Sequence, residues 1–221
     1  MRRIWRNNGL SITVFGLFII FLVGQSLTGW LVENHERYQH HSPPIELLAY
    51  LASGSFLEVT AENWESEFLQ MFIYVVFTAF LFQRGSSESK SPDEPEEVDR
   101  DPGQSRSKSD VPWPVRRGGL AMKVYENSLS LAFLLLFIIS FVMHAYGGTA
   151  QFNEENLLHG ERTLTVGEYV MSSRFWYESF QNWQSEFLAI GSMVVLSIFL
   201  RQRGSPESKP VDAPNHKTGG G

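Results

Sequence analysis

From Gly9 to Val32 the chain runs for 24 residues without a charged side chain. At 1.5 Å per residue this block matches the hydrocarbon core of a bilayer, which takes about 20 predominantly apolar residues. A second block, Ser128 to Gly148, reads "SLSLAFLLLFIISFVMHAYGG" and is of similar length. Two shorter apolar runs, Phe68 to Phe82 and Phe187 to Leu200, hold 15 and 14 residues. Each becomes long enough to cross if the polar-aromatic phrase before it, "NWESE" or "NWQSE", continues the same helix in the interface. The average composition, 43% hydrophobic with a net charge of -6, conceals this segregation of apolar blocks from charged ones.

The blocks come in two pairs. Residues 8–90 align with residues 127–209 at a constant offset and without a gap, and 32 of the 83 positions are identical. Among them are Asn34/Asn153, Glu36/Glu155, His40/His159, Tyr50/Tyr169, Phe56/Phe175, the phrase N-W-x-S-E-F-L at 63–69 and 182–188, and "QRGS" at 83–86 and 202–205. A gapless match of this length points to tandem duplication. Two spans per copy return the chain to the side where it began, so the copies run parallel rather than inverted.

The sequence therefore predicts an all-α membrane protein of four transmembrane helices, arranged as two parallel hairpins. Residues 1–90 form the first copy, with spans about 9–32 and 64–83. Residues 91–122 form a disordered linker. Residues 123–209 form the second copy, with spans about 127–148 and 183–201, and residues 210–221 a disordered tail. The linker is rich in proline, serine and mixed charge, and buries too little apolar area to offset chain entropy. A cleaved signal peptide at the start is not expected: the apolar stretch is long, no clear A-x-A site follows, and an internal block resembles it.

Basic residues set the orientation. Of 18 Lys and Arg, only Arg37, Arg162 and Arg174 fall in the loops within each copy, about 33–62 and 149–182. Both termini are thus expected in the cytoplasm and these loops outside. Helical spacing after Pro43 and Pro44 predicts short interfacial helices in the loops.

Two repeated polar groups are candidate sites. Asn63, Ser66 and Glu67, with Asn182, Ser185 and Glu186, repeat beside the presumed interface. A pseudo-two-fold axis could bring the two carboxylates together, where they would repel unless a proton or cation intervened. Alternatively the phrase is packing and anchoring, with Asn63 or Thr60 as helix cap and Trp64, Trp183 and Trp176 as interfacial anchors. Glu36-x-x-x-His40 and Glu155-x-x-x-His159 each meet on one face if helical, and together could ligate a divalent metal. His144, opposite Gln25 in the other copy, suits a polar interhelical contact. The chain has no cysteine, so thiolate sites and disulfides are excluded. No catalytic constellation, nucleotide-binding loop or cofactor motif appears, and the outer loops are not basic enough for nucleic acid. The expected partners are the lipid bilayer and other membrane proteins or further copies of the chain.

N-W-x-S-E-F-L followed by a span and Q-R-G-S, present twice, resembles a family of small bacterial integral membrane proteins known only as a domain of unknown function. The resemblance implies a bacterial inner-membrane location and transfers no catalytic residues. The function it leaves open is a structural or interaction protein of the envelope. The alternative is a small oligomeric channel, transporter or proton- or cation-responsive protein using the paired glutamates.

Overall fold

The computed structural model describes residues 2–219, and these are helical with no strand. Helix α1 spans Arg2–Gln39, α2 Leu47–Leu51, α3 Gly54–Phe80, α4 Trp113–Arg117, α5 Gly119–Glu126, α6 Ser128–Leu158, α7 Val166–Val170 and α8 Ser173–Phe199. Two of them, α1 and α6, are long and apolar enough to cross a membrane. The large side chains of α1 lie on its outside: Leu10 is 80% and Phe15 69% exposed. A helix apolar all round is stable only where something apolar surrounds it.

The chain divides into two compact units, Met1–Ala61 with Met143–Phe175 and Glu62–Val142 with Trp176–Gly221. In the first, each long helix stops just before or at a histidine. His41 and Gly160 adopt positive φ, 56° and 70°. The amide of Ser42 donates to the Arg37 carbonyl at 2.8 Å, and that of Glu161 to the Asn156 carbonyl at 2.8 Å. These are the six-to-one bonds that close a helix over a left-handed residue.

Asparagine then holds the returning loop. The Ile45 amide donates to Asn34 Oδ1 at 2.8 Å, and Asn34 Nδ2 donates to the Ile45 carbonyl at 3.1 Å. Asn153 treats Leu164 in the same way, at 2.7 and 2.9 Å. The short helices α2 and α7 follow, in the loops where the spacing predicts helices. Their tyrosines are buried. Tyr50 packs edge-on against Phe56 with centroids 5.6 Å apart, and Tyr169 against Phe175 at 5.7 Å. Each hydroxyl rests on a glycine: a Cβ on Gly29 would lie 2.2 Å from Tyr50 Oη, and one on Gly148 2.5 Å from Tyr169 Oη.

The starts of α3 and α8 differ from the sequence expectation. The helix cap is not Asn63 or Thr60. α3 begins at Gly54, where the Phe56 amide donates to Ser53 Oγ at 3.3 Å, and in α8 the Phe175 amide donates to Ser172 Oγ at 3.4 Å. A serine before the first turn satisfies an otherwise orphaned amide. The polar phrase thus lies inside the helix, where Ser66 and Ser185 hydroxyls donate back to the carbonyls of Asn63 and Asn182, both at 2.8 Å.

In the second unit, both "QRGS" segments form the same turn. Gly85 and Gly204 take φ of 86° and 83°, a region open to glycine. The Gln83 amide donates to Ser89 Oγ at 2.8 Å and the Gln202 amide to Ser208 Oγ at 2.9 Å. The C-terminal segment folds over the first of these turns. Lys209, 1% exposed, donates from Nζ to the carbonyls of Gly85, Asn215 (2.9 Å), Lys217 (3.0 Å) and Ile198 (3.3 Å). Burial, and secondly Arg201, pull this ammonium below the usual lysine range.

Candidate functional site

The duplicated phrase sits in the second unit. Glu67 and Asn63 are exposed, Glu186 and Asn182 half-buried, Ser66 buried and Ser185 exposed. The Glu67 and Glu186 carboxylates are within electrostatic reach of one another. The backbone around them is already engaged, since Gln70 Nε2 donates to the Glu186 carbonyl at 2.9 Å.

The acid that sequence reasoning passed over is Glu65, which is fully buried. Trp183 Nε1 donates to its Oε1 at 3.0 Å. Trp183 also meets Phe137 at 6.5 Å, Trp176 at 6.2 Å and Phe180 at 5.6 Å between centroids. So two of the three tryptophans assigned as interfacial anchors stand in one aromatic cluster, and its indole N–H engages a buried carboxylate. Glu65 aligns with Gln184 in the second matching segment. That asymmetry was visible in the sequence, as was the spacing of Glu58, Glu62 and Glu65 along one helix face. In the first unit Glu58 is also buried, with Tyr169 Oη donating to it at 3.3 Å. Gln25 Nε2 donates to Thr60 Oγ1 at 3.1 Å, and His144, for which a polar interhelical contact was expected, is buried and stacked on Phe175 at 4.6 Å.

The second candidate group comes together at the loop end of the first unit. A cavity of about 300 Å³ there is lined by residues that include Glu36, His40, Glu155 and His159. Glu36 and Glu155 sit on the last turns of α1 and α6, and His40 and His159 follow one residue past the helix ends, their amides still bonded to the Glu36 and Glu155 carbonyls. The imidazoles of His40 and His159 stand edge to face, with centroids 6.3 Å apart and planes at 77°. The cavity also holds Glu33, Glu154 and Arg37. Arg37 Nε donates to Glu33 at 2.8 Å and its Nη2 to Glu154 at 2.6 Å, so its one positive charge is committed. Four carboxylates against one guanidinium leave the cavity a place for cations rather than anions.

Two loop groups are perturbed nearby. Burial, and secondly the Glu33 charge, raise the Tyr50 phenol above its usual range. The Glu168 carboxyl is pulled down to about 2 by the Thr165 amide, then by Arg162 and the Thr165 hydroxyl; Thr165 and Glu168 form a capping box at the start of α7. Neither offers a nucleophile.

No curated protein and no solved structure matches the chain. A family model does, from residue 1 to residue 220, taking in both matching segments, the linker and the tail. The chain therefore belongs to the family described as a domain of unknown function (DUF6766).

Proposed function

We propose that this chain is a bacterial inner-membrane protein of four spans, built as two parallel hairpins by tandem duplication. Both termini lie in the cytoplasm, and the role is that of a structural or interaction protein of the envelope. The observation that carries the reading is the placement of its polar bonds. The asparagine clamps, the tyrosine–glycine contacts and the serine caps recur at matching positions of the two copies and fasten helix to loop. Meanwhile long apolar faces such as Phe15, Phe18 and Ile19 stay outside. Side chains so spent build a rigid frame that presents apolar surface to lipid and to other membrane helices.

Topology is the direct test, and the absence of cysteine makes it clean. Ser42→Cys and Thr163→Cys should react with a membrane-impermeant maleimide on intact cells, and Ser105→Cys only after permeabilisation. The reverse pattern, or equal labelling of all three, would sink the topology. For the role, crosslinking in native membranes should yield a defined higher complex through α1. A chain that stays monomeric and uncrosslinked there refutes the interaction reading.

A second reading is favoured by one observation, the electrostatic proximity of Glu67 and Glu186. Gln70, three residues after Glu67, donates to the Glu186 carbonyl at 2.9 Å, so the two glutamates lie on adjoining helices, where a proton or cation would relieve their repulsion. In proteoliposomes, Glu67→Gln and Glu186→Gln should then alter proton or cation flux with expression unchanged. Flux equal to wild type in both removes this reading.

A further inference from the structure

We propose that the cavity at the loop end of the first unit is a divalent transition-metal site. Its ligands are Glu36 and His40 from the end of α1 with Glu155 and His159 from the end of α6, and it takes zinc or a cation of similar chemistry.

The first support is convergence. Each Glu–His pair is four residues apart, so each occupies one face of its helix. The two helix ends then place the pairs around one cavity of about 300 Å³. The left-handed stops at His41 and Gly160 end both helices at the same register, which puts the two histidines at equivalent positions. Their rings are 6.3 Å apart between centroids. Bonds of about 2.0–2.2 Å from a shared ion to nitrogen and oxygen call for a rotation of these side chains. Glu36 and His40 are exposed, with room to make it.

The second support is the protonation state of a ring. His159 Nδ1 lies 2.8 Å from the main-chain carbonyl of Glu155. A carbonyl only accepts, so Nδ1 carries the proton and Nε2 keeps its lone pair. A histidine that ligates through one nitrogen while donating from the other to a carbonyl is the arrangement found around bound metals. Glu155 has a supporting partner too: Gln151 Nε2 donates to its Oε1 at 3.4 Å.

The third support is charge. Arg37 is already shared between Glu33 and Glu154, so it neutralises neither Glu36 nor Glu155. The fourth is the pattern of identity between copies. Glu36/Glu155 and His40/His159 match, whereas the positions around them differ: His35/Glu154, Arg37/Asn156 and His41/Gly160. Two imidazoles and two carboxylates, with no thiolate in the chain, suit zinc and its divalent neighbours rather than a soft monovalent ion.

The test uses the full-length chain without a histidine tag, in detergent or nanodiscs, stripped with chelator and titrated with zinc chloride by calorimetry. One Zn²⁺ should bind per chain. His40→Ala and His159→Ala should each weaken binding by about tenfold or more, and Glu155→Gln by a similar factor. His41→Gln, outside the ligand set, should bind as wild type does. Cobalt(II) in place of zinc should give a ligand-field spectrum that the double variant H40A/H159A lacks. Helicity and thermal unfolding of the variants, measured alongside, separate loss of a ligand from loss of fold. Absence of saturable Zn²⁺ binding by wild type overturns the proposal, as does undiminished binding by the folded double variant.

Discussion

Gly147→Ala is a change of one methyl group at the tightest helix crossing in the first unit. A Cβ on Gly147 would lie 2.6 Å from the Glu58 amide nitrogen, 3.0 Å from the Leu57 carbonyl carbon and 3.1 Å from Glu58 Cα. All three are backbone atoms, so no rotamer change relieves the contact. To reach an ordinary separation of 3.4 Å, the start of α3 must retreat by about 0.8 Å. Gly54 closes the same crossing from the other side: a Cβ there would lie 2.7 Å from Ala150 Cβ and 2.8 Å from the Gln151 amide nitrogen, so the retreat loosens that contact as well. Overpacking of this kind costs about 1–3 kcal/mol. Alanine's better helix propensity returns up to about 1 kcal/mol. The expected net loss is about 1–2 kcal/mol. The control is internal: Gly16 and Gly24 in α1 have nothing within 4 Å of a built Cβ. Gly16→Ala should therefore be neutral or gain up to about 1 kcal/mol. The assay is equilibrium unfolding by SDS in mixed micelles, followed by helicity, with all variants in one detergent. If Gly147→Ala proves as stable as Gly16→Ala, the close crossing of α3 and α6 is wrong.

Three further outcomes are expected. His41→Gly removes a left-handed non-glycine residue at the end of α1 and should raise stability by about 1 kcal/mol in the same assay, while Gly160→Ala should lower it; equal and opposite failure would mean the two stops are not alike. Glu168 should titrate near 2 by NMR, and Thr165→Ala should move it toward the ordinary glutamate value. Because the folded value is depressed, its contribution to stability is present above the ordinary glutamate range and fades as pH falls through about 2. The Thr165 amide bond survives that substitution, so the move is partial, and a Glu168 midpoint unmoved by Thr165→Ala would refute the hydroxyl's part in holding the carboxylate. Lys209→Met deprives four carbonyls of their cation, a loss of about 2–3 kcal/mol for charge-assisted bonds, and should make residues 210–219 sensitive to protease at concentrations that spare wild type.

What the sequence made legible was what repeats locally. The long uncharged blocks became α1 and α6, because a run with no polar face has no amphipathic alternative. The Glu-x-x-x-His pairs fell on helix ends around one cavity, since spacing four residues apart fixes a shared face whatever the helix meets. The helix starts were misread because the N-W-x-S-E phrase looks like a boundary. Its serines bond back within the helix instead, and the true boundary is the inconspicuous Ser53 or Ser172. The asparagine clamps were hidden because an Asn near a helix end usually bonds to water, and only the closed loop shows Asn34 and Asn153 replacing that water with a backbone amide and carbonyl. The partner of Glu65 was unreadable for another reason: Trp183 is 118 residues away, and no local period encodes it.

The positions that match and those that differ between the two segments divide by task. Asn34/Asn153, Gly29/Gly148 and Ser53/Ser172 are identical, and each bonds or packs within its own segment. Several contacts from one segment to the other involve a residue whose counterpart differs. Glu65 accepts from Trp183 while its counterpart is Gln184, Glu58 accepts from Tyr169 while its counterpart is Tyr177, and Arg37 reaches Glu154 where the mirrored pair is Asn156 and His35. In a symmetric dimer of one hairpin every contact would occur twice, and a buried glutamate near the axis would face its own copy. Two such carboxylates repel in a low dielectric. Fusion into one chain frees each side to change alone, so an acid on one segment can keep a neutral donor opposite it. On the proposed duplication, the selective gain of joining the hairpins is this asymmetry at their contact, while the Glu36–His40 and Glu155–His159 pairs stay alike around one cavity. Residues that remain matched across such a contact are those that both need to bind the same thing.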